Sequence, residues 1–322
     1  MKTVFLITLS LVFINIGRTQ QLTQFSQYLK NPFIVNPAAS GVYDYIDVRI
    51  IGRNQWAGYT NAPISSNLYF TMPISPITSS SSSFQSIGGS KRESEIRTGK
   101  MKHAIGGQVI TDQYGAFRRI SLSGVYSVHI PLNKNYNLSF GTQLGVSNHS
   151  FLPERAIVLN FNSDQTYLES IANRSNKNIF NLNTGLYLYS KTIFAGLSMN
   201  EITKNAFSFG PGTAYFNPKM HFNLMGGMKI NVNRDMSLTP SFLMKYMYKS
   251  PLNLETSVQF AYKDWIWTNL SYRFKDAVVV GFGCNVSNRF RVGYSYDISA
   301  SKLRNYSSGS HELMIGIMLD RE

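Results

Sequence analysis

The residues through which this chain could do chemistry are few. His103, His129, His149, His221 and His311 stand on separate segments, without the close spacing by which two side chains reach one metal ion. They read as strand-face or loop histidines with ordinary hydrogen bonds. Gly281-Phe282-Gly283 lacks the following helix that a dinucleotide site needs. There is no Gly-x-Ser-x-Gly elbow and no local Ser–His–Asp signature. Glu255 and Glu312 stand on polar strand faces as single acids, not as an acid/base pair. The one cysteine, Cys284, cannot form an internal disulfide and reads as a small apolar residue on a strand. The expectation is a non-enzymatic protein with no cofactor and no metal.

Two stretches ask for a different role. RNQWAGYTNAP at 53–63 places Arg53, Asn54, Gln55 and Trp56 in a short loop bounded by Gly and Pro. It reads either as an interfacial tryptophan with Asn/Gln turn chemistry or as a docking loop. QFSQYLKNPFIVNPAASG at 24–41 carries Phe25, Tyr28, Asn31, Pro32, Asn36 and Pro37. It has neither the period of a strand nor that of a helix. It is too polar to pack alone and too aromatic to trail free.

The elements that must position these residues alternate with period two. In RISLSGVYSVHIPL at 119–132, Ile120, Leu122, Tyr126, Val128 and Ile130 share one face; Arg119, Ser121, Ser123, Ser127 and His129 share the other. About fourteen such segments occur, each close to the ~9–11 residues that a tilted strand needs to cross a bilayer. They centre near residues 48, 69, 107, 125, 140, 184, 195, 225, 242, 257, 268, 281, 293 and 315. Short turns at Asn133-Lys134-Asn135, Ser190-Lys191, Lys263-Asp264, Lys275-Asp276 and Ser287-Asn288 make the sheet antiparallel and meandering.

A soluble sandwich and a closed membrane barrel both fit period two. Three features favour the barrel. Aromatics sit at strand ends (Tyr136, Tyr246, Tyr248, Tyr262, Trp265, Tyr272), as in an interfacial girdle. The segments at 117–132 and 235–249 are longer than an ordinary soluble strand. An even strand count lets the sheet close with no exposed edge. The all-β reading is therefore an antiparallel up-and-down transmembrane barrel over residues 44–322. The strip at 20–43 is a plug-like segment in the lumen or at the periplasmic mouth.

Residues 1–19 read as a cleaved signal peptide: Lys2, an apolar run from Val4 to Ile16, then Gly17, Arg18 and Thr19. A short membrane anchor is the alternative, but the run is too short to span comfortably. The net charge of +14 implies an acidic surface as partner, such as lipid head groups, lipopolysaccharide or an acidic protein. Nucleic acid is not expected of an exported chain without its motifs. With the mature N-terminus in the periplasm and the first strand running outward, the longer linkers near 147–177, 200–218 and 298–309 face outside. A Ser-rich, basic insert at 75–101 breaks this habit on the periplasmic side. Its Lys91, Arg92, Arg97, Lys100 and Lys102 are candidate contacts for a partner.

The opening strip followed by RNQWAGYTNAPISSNLYFTMPI resembles the start of the PorP/SprF family of Bacteroidota outer-membrane proteins. Gln24-Phe25-Ser26-Gln27-Tyr28, Asn31-Pro32, Asn36-Pro37-Ala38, Gly41, Arg53-Asn54-Gln55-Trp56 and Ala62-Pro63 carry the likeness. At the far end, Tyr294-Ser295-Tyr296-Asp297 and Ser308-Gly309-Ser310-His311-Glu312 resemble that family's closing hairpin. The resemblance implies an outer-membrane barrel of the type IX secretion system. Its partners would be the system's components and secreted cargo, in some species gliding adhesins. Two departures stand out: the chain ends LMIGIMLDRE, without a terminal aromatic, and the serine-rich insert is longer than the family's usual second connection. The alternative function is a passive channel, with Arg119, Arg289 and Arg291 favouring small anions.

Overall fold

The computed structural model describes residues 23–74, 96–156, 168, 176–203, 219–301 and 307–319. The leader, most of the serine-rich insert with Lys91 and Arg92, and the closing Asp320–Glu322 lie outside the described residues. The strands are β1 (Ile46–Asn54), β2 (Ile64–Pro73), β3 (Lys102–Tyr114), β4 (Phe117–Pro131), β5 (Asn137–Phe151), β6 (Asn176–Tyr189) and β7 (Ile193–Asn200). They continue with β8 (His221–Met228), β9 (Ile230–Asn231), β10 (Met236–Met247), β11 (Asn253–Tyr262), β12 (Ile266–Arg273), β13 (Ala277–Asn285), β14 (Phe290–Ser299) and β15 (Ser310–Leu319). The two residues of β9 prolong β8 along β10, so the wall has fourteen spanning strands. Each pairs antiparallel with its neighbour. The barrel closes where β1 meets β15, from Ile46 opposite Leu319 to Asn54 opposite His311.

Period two sets the two faces. Leu122, Tyr126, Phe140 and Ile315 point outward and are exposed, with Val292 and Ile317 half-buried on the same face; Ser139 and Ser295 point inward and are buried. An apolar exterior over a polar interior suits lipid outside and polar contents within. The aromatics Tyr246, Tyr248, Trp265 and Tyr272 are exposed near strand ends.

The two ends differ. The strand ends that flank 55–63, 152–175, 201–220 and 300–309 lie at one end, the loop end. The other, the turn end, carries the tight hairpins after β4, β6, β9, β11 and β13, together with the long β2–β3 connection.

The opening strip fills the lumen. Phe25, Tyr28, Phe33, Val35, Ala38, Ala39 and Val42 are buried, as are Ser26, Asn31, Asn36 and Ser40. Its two Asn-Pro pairs start two short 3-10 turns, Pro32–Ile34 and Pro37–Ala39. Proline suits both starts because it presets φ and has no N–H to satisfy. The sequence reading placed this strip in the lumen or at the periplasmic mouth without giving it a direction. Thr23 lies at the loop end, where its hydroxyl accepts a hydrogen bond from Arg119 at 3.1 Å. The strip then threads the barrel to the turn end before β1 runs back.

Candidate functional site

The site built by these elements is the lumen and the strip within it. Near the loop end, Ser26 sits at the centre of a buried charge cluster. Its N–H donates to Glu312 at 2.7 Å, and the N–H of Gln27 donates to the same carboxylate at 3.0 Å. The Ser26 hydroxyl donates to Asp297 at 2.9 Å. Arg53 bridges Asp297 at 2.7 Å and Glu312 at 3.1 Å, and donates to the Ser26 hydroxyl at 2.9 Å. Arg273 joins Glu255 at 2.9 Å and Asp297 at 3.1 Å. Glu255 and Glu312 are therefore not single acids: both belong to one arginine-linked cluster. Desolvated charges need such mutual pairing, and charge-assisted bonds are the stronger kind.

Midway, Asn31 is read by three wall residues. Its side-chain oxygen accepts from Arg49 at 2.7 Å and from the Tyr69 hydroxyl at 3.0 Å. Its amide nitrogen donates to the sulfur of Met314 at 3.1 Å and to the Gln27 carbonyl at 2.8 Å. Arg49 also donates to the Lys30 carbonyl and is held by Asp47 at 2.7 Å.

Further along, the partners of Val35, Asn36 and Ser40 are neutral. Asn36 donates to the carbonyls of Leu186 at 2.8 Å and Leu197 at 3.3 Å, while its own oxygen accepts from the Ala38 N–H at 2.9 Å. The Val35 carbonyl accepts from Ser198 at 2.7 Å, and the Ser40 carbonyl from Ser127 at 2.9 Å and His129 at 2.8 Å. Room for this approach comes from inward-facing glycine. A Cβ at Gly185 would lie 2.0 Å from the Asn36 side-chain oxygen, and one at Gly141 would lie 2.5 Å from the Ala38 backbone. At the turn end Gly41, with φ of 69°, turns the chain against the wall, where an added Cβ would lie only 2.2 Å from that of Ala104.

The sequence-derived site residues separate accordingly. Phe25, Tyr28, Asn31, Pro32, Asn36 and Pro37 are buried in the strip. Tyr28 packs in an apolar cluster with Val35, Tyr187 and Leu243, and its hydroxyl meets that of Ser257 at 3.0 Å. Arg53 leaves the loop reading altogether: its side chain points inward as the strip's main charge partner. Asn54 ends β1 opposite His311, and the Gln55 N–H donates to the Pro63 carbonyl at 2.9 Å. Trp56 is half-buried in the left-handed region (φ 54°), with its N–H donating to the Ser310 hydroxyl at 3.1 Å. Ala57 exchanges two backbone bonds of 2.7 Å with Ser308 and Gly309. The two end motifs thus meet across the closing seam.

Of the basic insert, Lys102 is buried and unfit for a soluble partner, donating to the Val42 carbonyl and Asp44, each at 2.9 Å. Arg97 also pairs with Asp44, at 3.2 Å, with its side chain half-exposed; Lys100 is exposed. Of the three described residues, Lys102 points into the barrel, while Arg97 and Lys100 stay at the surface. Missed by the sequence reading were Ser26 as hub and Asp297, Arg273 and Arg49 as partners. Their signal was charge on strand faces that period two had already turned inward.

Among the described residues, no cluster of His, Cys, Asp or Glu is arranged to hold a metal ion. A closed, fourteen-stranded antiparallel barrel with a lipid-type exterior and a filled polar lumen is an outer-membrane β-barrel. The chain belongs to the family of type IX secretion system membrane proteins PorP/SprF, whose sequence profile matches residues 17–317. No curated protein sequence matches it.

Among solved structures it is similar in fold to the CymD monoaromatic hydrocarbon channel, at 10% identity and a TM-score of 0.51, over 96% of this chain and 94% of that one. A Pseudomonas aeruginosa FadL homologue aligns with a TM-score of 0.47 and 10% identity, over 88% and 92%. The translocator domain of autotransporter NalP from Neisseria meningitidis aligns at 0.40 and 10%, over 87% and 89%.

Proposed function

We propose that this barrel serves type IX secretion without catalysis, as a docking or anchoring partner for secreted cargo or for the periplasmic machinery. The filled lumen carries the reading. In a barrel of this family whose interior is taken by its own strip, work at the two ends is better supported than conduction through the middle. With β1 running outward, the loop end faces the cell exterior. The seam loop there presents Trp56 and exposed Tyr59 on backbone held by cross-loop hydrogen bonds. Rigid aromatic surface of this kind anchors protein partners.

The second reading, a passive channel for small anions, draws on Arg119 at the loop-end mouth and Arg291 in the lumen; Arg289 lies at a turn tip and does not line the lumen. A deletion strain separates the two. Loss of one or a few large secreted or surface proteins, with uptake of small solutes intact, is the expected outcome. An unchanged surface proteome with a defect in solute uptake would replace docking by the channel.

A further inference from the structure

We infer that the turn end of the barrel is a ring of cationic tips that binds anionic phospholipid head groups of the membrane leaflet at that end. The inference stands apart from the docking reading and rests on repeated local geometry. Four of the tight turns are built the same way. A side-chain oxygen at the first turn position accepts from the two backbone N–H groups that follow its neighbour. Asn133 accepts from Asn135 at 2.8 Å and Tyr136 at 3.0 Å. Ser190 accepts from Thr192 at 3.1 Å and Ile193 at 2.8 Å. Asn233 accepts from Asp235 at 2.9 Å and Met236 at 2.7 Å. Ser287 accepts from Arg289 and Phe290, both at 3.2 Å. Asn and Ser favour such turns because the short side chain closes on its own backbone.

Each of these turns carries one basic residue at its tip: Lys134, Lys191, Arg234 and Arg289. The fifth hairpin reaches the same result by another turn, with Lys263 and Asp264 both left-handed at φ 53° and 52°. All five tips are exposed. The only acids among these turns are Asp235 and Asp264, and Lys229 pairs with Asp264 at 3.2 Å.

Depth identifies the ligand. Within two residues of each tip stands an exposed apolar side chain: Leu132, Ile193, Val232, Trp265 and Phe290. These belong in or at the edge of hydrocarbon, so the tips lie at head-group level, where the long stems of Lys and Arg extend to phosphate. The turns are too short to project toward a soluble partner. They are also spread over five hairpins around the rim, whereas a globular protein would engage one side. A ring of this kind fits the annulus of lipid and fixes how deep the barrel sits.

The test uses the full-length barrel in vesicles of phosphatidylcholine mixed with spin-labelled phosphatidylglycerol or spin-labelled phosphatidylcholine. The motionally restricted lipid is measured in each. Phosphatidylglycerol should associate about fivefold more strongly beside a basic tip. The preference should fade as salt rises, since exposed charges are screened over about 10 Å at 0.1 M. The combined Lys134→Gln, Lys191→Gln, Arg234→Gln, Lys263→Gln and Arg289→Gln protein should lose it. A control carrying Lys177→Gln and Lys249→Gln at the loop end should keep it. Should the five-fold variant fail to insert, the salt titration of the unmodified barrel still decides. Equal association of the two lipids, a preference insensitive to salt, or one that survives in the five-fold variant would overturn the inference.

Discussion

The loop-end and turn-end halves of the lumen hold one strip by opposite chemistry. Toward the loop end, Ser26 and Gln27 are clamped by the carboxylates of Asp297 and Glu312, themselves paired with Arg53 and Arg273. Toward the turn end, Val35, Asn36 and Ser40 meet only neutral groups, Ser198, Ser127, His129 and wall carbonyls, and charge returns only at the strip's exit, where Lys102 meets the Val42 carbonyl and Asp44. The charged half is coupled, since removing one partner strands another in a desolvated site. The neutral half is a set of nearly independent bonds fitted against glycine. The contrast teaches that the strip is locked at one end and registered at the other.

The largest effect should break the lock. Arg53→Ala leaves Glu312 without its ion-pair partner and should cost about 3–5 kcal/mol, measured by urea unfolding of the reconstituted barrel. Gly185→Ala tests the fit in the neutral half. The new methyl group cannot share space with the Asn36 side chain, and overpacking of this kind costs about 1–3 kcal/mol. Asn36→Ala removes the group itself and exposes two wall carbonyls to unsatisfied burial, at a similar or smaller cost of about 1–3 kcal/mol. Limited proteolysis of the strip should rise in both. Ser198→Ala should be mildest, about 0.5–1.5 kcal/mol, because Asn223 still donates to the Val35 carbonyl at 3.3 Å. Equal costs for Arg53→Ala and Ser198→Ala would erase the distinction between the halves.

How much of this was legible depended on the range of the forces involved. The wall was open to sequence reading because period two is local: each of the fourteen segment centres falls inside a strand, and Asn133, Ser190 and Ser287 announce their turns. Composition placed the strip in the lumen or at the periplasmic mouth, since Phe25, Tyr28 and Phe33 needed cover that the strip could not supply itself. Its direction was not legible. Threading from loop end to turn end is decided by partners such as Glu312, which lies 286 residues from Ser26 along the chain. Arg53 misled for the same reason: beside Trp56 it reads as part of a loop, and only its strand register turns it inward. Gly185 and Gly141 carried no local signal, because what they accommodate arrives from another part of the chain. Lys102 looked like part of a basic patch until the strip's exit brought Asp44 and the Val42 carbonyl to it.

The central claim is that the barrel is closed by its own N-terminal strip, and single-channel conductance in planar bilayers tests it most directly. The full-length protein should be silent at moderate voltage, and a protein lacking residues 23–43 should conduct in discrete, ohmic steps. A full-length barrel that conducts with the same step size as the deleted one would contradict the account.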